Sequence, residues 1–210
     1  MPAAGLTAAA LILLTACGGS GGDNGSDKIQ GAETTTPSAT PSTSATTPGV
    51  QRPVITFPAD AKNVFEGQHT GDPKTDAVLA DDAQAVNSVD AAILEGKTHT
   101  AALEFYNGGK ALGAAVDYIQ GYLDKGDTWT GTVRYFDRKV TMRSDGSAVV
   151  IYCSDESKAF IKKRKTGKVI YSAPSADGFV QYNDRLVKGP EGVWVTVNVI
   201  SNRGAKACQP

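Results

Sequence analysis

The side chains whose types and spacing could do chemistry in this 210-residue chain are few. General acid–base work at neutral pH needs a group that titrates near there, and unperturbed histidine is the one that does. The chain has His69 and His99. His99 is the better candidate because it opens a helical stretch between Thr98 and Thr100. The same setting describes a solvent-facing helix cap, which is the stronger expectation. His69 sits in coil beside Thr70-Gly71. Asp155, following Ser154, reads as a strand-end cap rather than a base, and Cys153 as a bonded rather than nucleophilic cysteine. His99 is thus the one alternative to having no catalytic residue. Two His with Cys153 and Cys208, none closely spaced, make no metal-ligand set, and no cofactor is implied. There is no Gly-x-Ser-x-Gly and no phosphate loop. Lys158, Lys162, Lys163, Arg164, Lys165 and Lys168 form the single basic cluster. Pairing across Thr166-Gly167 would put it on a hairpin, where it could touch anionic headgroups or wall polymers. A solvated edge that resists strand-to-strand aggregation is the plainer role.

A third cysteine belongs to a different pattern. The apolar run Leu6–Leu14 has the length of a secretory h-region and is too short to span a bilayer. Leu14-Thr15-Ala16-Cys17 then resembles the lipobox of bacterial lipoproteins. The resemblance implies that residues 1–16 are removed and that Cys17 carries a diacylglyceryl thioether. Its expected place is the outer face of a bacterial cell membrane, anchored by that lipid. Met1–Gly5 lacks the Lys or Arg that opens a signal peptide, which an upstream start would supply. With Cys17 lipidated, Cys153 and Cys208 remain, and an even pair outside the cytosol usually forms a disulfide, two buried thiols being the alternative. Nucleic acid is not an expected partner there.

Residues 17–50 are Gly-, Ser-, Thr- and Pro-rich and cannot bury enough apolar surface to offset their ordering entropy. They are expected to be a disordered tether, of a composition that O-glycosylation favours. Residues 51–71 hold apolar islands, Val54-Ile55-Thr56-Phe57 and Asn63-Val64-Phe65, expected as an extended covering segment. Residues 72–210 have the size of one domain. Its charge is split: 10 acidic against 4 basic residues over 72–127, and 7 against 14 over 128–210. Attraction between two layers is the preferred account, orientation against an anionic surface the alternative.

The domain opens with helices. Asp72-Pro73 supplies an N-cap and a first-turn proline. Leu79, Ala83, Val86, Val89, Asp90 and Ile93 then keep helical spacing, with Asp81, Asp82 and Glu95 facing away, until Gly96. A second helix is expected over 98–106 and a third over 110–125, where Tyr118 and Tyr122 share a face, most simply for packing. Beyond Gly126 the period becomes 2, predicting strands over 128–143, 147–154, 160–164, 168–172, 179–188 and 193–201. Val193, Val195, Val197 and Val199 should face the core and Trp194 the other side. Ala148–Tyr152 is apolar on both faces, so a second cover is needed. Either the islands fold back over it, the preferred solution, or a second copy docks there as a homodimer.

The whole predicts an α+β fold, three N-terminal helices packed on one face of a curved antiparallel sheet of about five to six strands. That order resembles the nuclear transport factor 2-like cone. Phe65-Glu66-Gly67, Thr70-Gly71-Asp72, Gly131 with Tyr135, Cys153-Ser154-Asp155, Thr166-Gly167, Trp194 and Cys208 resemble secreted bacterial lipoproteins without an agreed activity. The resemblance implies a pocket, and two functions are open. The first is a lipid-anchored binding or structural module meeting a small molecule or an envelope protein. The alternative is an isomerase- or dehydratase-like enzyme using the pocket.

Overall fold

In the computed structural model, residues 49–210 are described. The lipobox, Cys17 and nearly all of the tether lie outside them. The elements run β1 (Ala61–Phe65), α1 (Pro73–Glu95), α2 (Ala101–Tyr106), α3 (Gly109–Asp124), β2 (Asp127–Met142), β3 (Ala148–Lys163), β4 (Val169–Ile170), β5 (Phe179–Lys188) and β6 (Trp194–Arg203). The fold is α+β, with three helices against a curved, open six-stranded sheet of order β1-β2-β3-β5-β6, β4 pairing with β3. Two expectations are corrected. The helices do not open the fold, because β1 precedes them. The sheet is mixed rather than antiparallel, because β1 pairs in parallel with β2.

Capping chemistry sets the helix ends. Asp72 accepts from the amides of Lys74 and Thr75, and Gly96 closes α1 in the left-handed region at φ 76°. Thr100 accepts from the Leu103 amide, so α2 starts a turn later than its apolar pattern suggests. Asp81 and Asp82 do not face away; both are buried. Asp81 accepts from the Trp194 amide at 2.8 Å and pairs with Arg52. Asp82 pairs with Arg138 at 2.8 Å with both side chains at most 1% exposed.

Three bulges break the period of 2. Glu156 and Ser157 of β3 face Val133 alone, and Asp137 and Arg138 of β2 face Tyr152 alone. Val197 is the extra residue between the pairs Leu186–Thr196 and Arg185–Asn198. The valine face is therefore corrected. Trp194 and Thr196 lie buried on the helix side with Val193 buried as expected, and past the bulge Val199 lines the cavity, partly exposed. The predicted strands over 147–154 and 160–164 merge into β3, so Asp155 lies inside a strand, accepting from the Ser157 amide across the bulge.

The islands do fold back, but over the helix side. Phe57 meets Trp129 edge-on at 5.8 Å, Phe65 stacks on Tyr135 at 4.6 Å, and Ile55 packs by Tyr106 and Val193. Gly131 lets β2 and β3 approach closely where β1 also joins: at φ 101° a Cβ there would lie 2.1 Å from the Lys158 carbonyl oxygen of β3. On the opposite face of β3, Cys153 is disulfide-bonded to Cys208, packed with Phe136, Phe179 and Ala205.

Candidate functional site

Between α1, α3 and the concave side of the sheet lies a cavity of about 800 Å³. Its origin is local. The face of α3 that crosses the sheet carries Ala111, Ala114 and Ala115, too small to fill the gap, and α1 adds Ala85. One and two turns later the same face carries Tyr118 and Tyr122, whose rings meet edge-on at 5.3 Å. The sheet contributes Trp129, Tyr135, Tyr152 and Tyr182, the last two stacked at 5.0 Å. The segment after β4, residues 172–178, forms the remaining wall.

Polar groups gather at two places. Asp90, from the apolar stripe of α1, accepts at Oδ2 from Asn63 Nδ2 at 2.7 Å and from the Tyr135 hydroxyl at 3.3 Å. Burial pushes its pKa up to about 7; the nearby Glu156 carboxylate adds to the rise, and the bonds from Asn63 and Tyr135 oppose it. Glu156 itself is forked by Arg203, at 2.7 and 3.3 Å. Deeper, Tyr152 donates to Asp184 Oδ2 at 3.0 Å. Burial, then the charge of Asp82, holds the Asp184 carboxyl well above the usual range. In the residues that line the cavity, Asp184 Oδ1, Thr196 Oγ1 and Trp129 Nε1 are buried without partners among the described residues. Burial also raises the Tyr135 and Tyr152 hydroxyls well above ordinary phenols, so both remain donors.

The arrangement can hold an apolar body against aromatic rings and offer one carboxyl that titrates near neutrality, with the Tyr135 and Tyr152 hydroxyls donating to Asp90 and Asp184. Neither histidine reaches it. His99 is 71% exposed and pairs with Glu104 at 3.1 Å, outside the cavity. His69 is exposed at 3.8 Å from Asp76. Among the described residues no three His, Cys, Asp or Glu side chains converge as a metal site.

Half of the basic cluster is spent on structure. The hairpin across Thr166-Gly167 forms, joining β3 to a β4 of two residues. Lys162 pairs with Asp60 at 2.7 Å and Lys163 with Asp127. Arg164 donates to the carbonyls of Ile93, Leu94 and Asp127, capping the last turn of α1. Lys158, Lys165 and Lys168 make no ion pair among the described residues.

The residues that line the cavity were missed as a site in the sequence. The available signal was Asp90, a carboxylate in an apolar helical stripe that places it on the buried side.

No family model matches the chain, and no curated protein matches it. Among solved structures, the intermembrane-space region of the chloroplast protein ARC6 aligns with a TM-score of 0.39 and 10% identity, over 59% of this chain and 92% of that one. A candidate ketosteroid isomerase from Shewanella frigidimarina aligns with a TM-score of 0.34 and 13% identity, over 66% of this chain and 99% of that one. Likenesses this distant carry no functional argument for the chain.

Proposed function

We propose that this domain is a binding module that takes a small, largely apolar molecule into the cavity, in a cone of the nuclear transport factor 2-like kind. The observation that carries it is the cavity itself. About 800 Å³, walled by aromatic rings with a few convergent polar groups, is what small-molecule sites look like. An uncharged 2-arylbenzothiazole dye tests it on the full-length protein. Saturable binding is expected, lost in Ala114→Trp, which fills the cavity from its rim. The absence of saturable binding by the unaltered protein, of this dye and of cationic and anionic planar dyes alike, would overturn the reading.

The proposed setting is the outer face of a bacterial membrane, with residues 1–16 a signal peptide, Cys17 lipidated and residues 17–50 a tether. The order of residues Leu14-Thr15-Ala16-Cys17 after an apolar run supports it. Cys17→Ala should release the protein to the medium or leave its precursor uncut, because lipid chains beyond the first make anchoring stable. Unchanged processing and membrane retention would sink the anchor.

One observation favours a second reading, an isomerase- or dehydratase-like enzyme. Asp90 titrates near neutrality in the cavity wall, and a positioned carboxylate of that pKa is what a general base for proton transfer at carbon requires. Turnover of a candidate ketone or hydroxy acid that Asp90→Asn abolishes while binding persists would favour it. Binding without turnover would retain the module.

A further inference from the structure

The charges around the cavity are unbalanced. Asp90, Glu156, Asp177 and Asp184 line it, and Arg203 is the sole basic lining residue, forked onto Glu156. Asp90 has only neutral donors, Asn63 from β1 and Tyr135 from β2. From the other elements it is faced by Tyr118 and Tyr122 of α3, Glu156 of β3 and Tyr182 of β5, with Arg203 of β6 held on Glu156. None of these supplies Asp90 with a positive charge of its own.

From this arrangement we infer that the cavity selects an organic cation, an ammonium or a delocalised heteroaromatic cation on an apolar body, seated among the tyrosine rings with its charge toward Asp90. The inference rests on the binding reading of the same cavity and adds the ligand's charge. Aromatic faces attract cations, most strongly where water is excluded, and the rings of Tyr118, Tyr122, Tyr135 and Tyr182 gather near this one carboxyl. An anion would meet a wall of acidic side chains whose one basic neighbour, Arg203, is already held by Glu156. A neutral ligand would leave Asp90 as it stands, a carboxyl that burial keeps partly protonated. A cation completes the ion pair and drives the proton off, so binding releases a proton at or below neutral pH. The sign follows: with a free pKa of about 7, cation affinity weakens as pH falls below 7, toward a limiting slope of about tenfold per unit, and is flat above about 8.

The test uses three planar dyes on the full-length protein: thioflavin T, a permanent cation; its uncharged analogue without the ring N-methyl; and anionic anilinonaphthalene sulfonate. Thioflavin T should bind about tenfold or more tighter than the uncharged analogue at pH 8, with the sulfonate weakest. That preference should shrink from pH 7 to pH 5, and in Asp90→Asn the ratio should approach one at every pH. The pH profile of the unaltered protein decides the matter even if the variant folds poorly. If the uncharged analogue binds as tightly as the cation, or the preference ignores pH, the cation inference falls while the binding reading stands. If none of the three binds, both fall.

Discussion

Arg138 of β2 and Asp82 of α1 form an ion pair at 2.8 Å from which solvent is excluded, in the layer between helix and sheet. A second Arg138 bond goes to the Leu79 carbonyl, and Asp184 lies close enough for Asp82 to raise its pKa. One guanidinium thus lies near two buried carboxyls and pairs directly with Asp82. Arg138→Met should cost about 3–5 kcal/mol, because it strands Asp82 without a cation. Pairing it with Asp82→Leu should recover most of the loss. Urea denaturation of the single and double variants measures both.

Asp90 predicts a pH dependence of stability. Its folded pKa of about 7 lies above the ordinary 3.8, so the folded state holds more protons between those values. Its contribution is fully present below about pH 4 and is lost as pH rises through 7, with a slope approaching about 1.4 kcal/mol per pH unit. Asp90→Asn should match the unaltered protein near pH 4 and exceed it at pH 8. Melting curves across that range check the crossing, and greater stability of the unaltered protein at pH 8 would contradict it.

The disulfide between Cys153 and Cys208 closes a separation of 55 residues. In the chain-entropy model this contributes about 4 kcal/mol. Replacing both cysteines by alanine should lower stability by about that amount and leave the cavity, on the other face of the sheet, able to bind. Non-reducing mass mapping should recover the linked peptide pair. Quantitative alkylation of both thiols in unreduced protein would contradict the bond.

Phe65 stacks on Tyr135 and also underlies Arg138, 5.2 Å from its guanidinium. Phe65→Ala should therefore cost about 2–3 kcal/mol through lost burial and the gap left behind. It should also weaken dye binding, since Tyr135 loses the ring behind it. A change in stability with no change in binding would separate β1 from the site.

Much of the fold was legible because helix periods and caps are local. Asp72, Gly96 and the apolar stripe of α1 need nothing distant to be read. The sheet was legible in outline and wrong in detail at each bulge. Val197 carries no mark that distinguishes it from Val195, yet it reverses which residues face inward, so Trp194 moved from the outside to the core. The parallel pairing of β1 joins residues 61–65 to 131–135, too far along the chain for a local pattern to mark, and the missing Cβ of Gly131 matters only once Lys158 of β3 is beside it. Lys162, Lys163 and Arg164 look like a surface patch in sequence because their partners Asp60, Asp127 and the end of α1 are all remote. The cavity was hidden for a related reason. It is made by what Ala111, Ala114 and Ala115 do not fill, and an alanine in a helix ordinarily signals only good propensity.

The placement of β1 bears on when the chain can fold. Asp60 and Thr130, joined at the start of the β1–β2 ladder, are 70 residues apart, and Cys153 waits a further 55 residues for Cys208. The three helices are made before the sheet they rest on, and their buried carboxyls Asp81 and Asp82 find Trp194 and Arg138 only afterwards. A chain emerging from its N-terminal end therefore has no stopping point at which a stable part is complete. Folding dominated by such distant contacts is slow, and here it waits until nearly all of the chain is available.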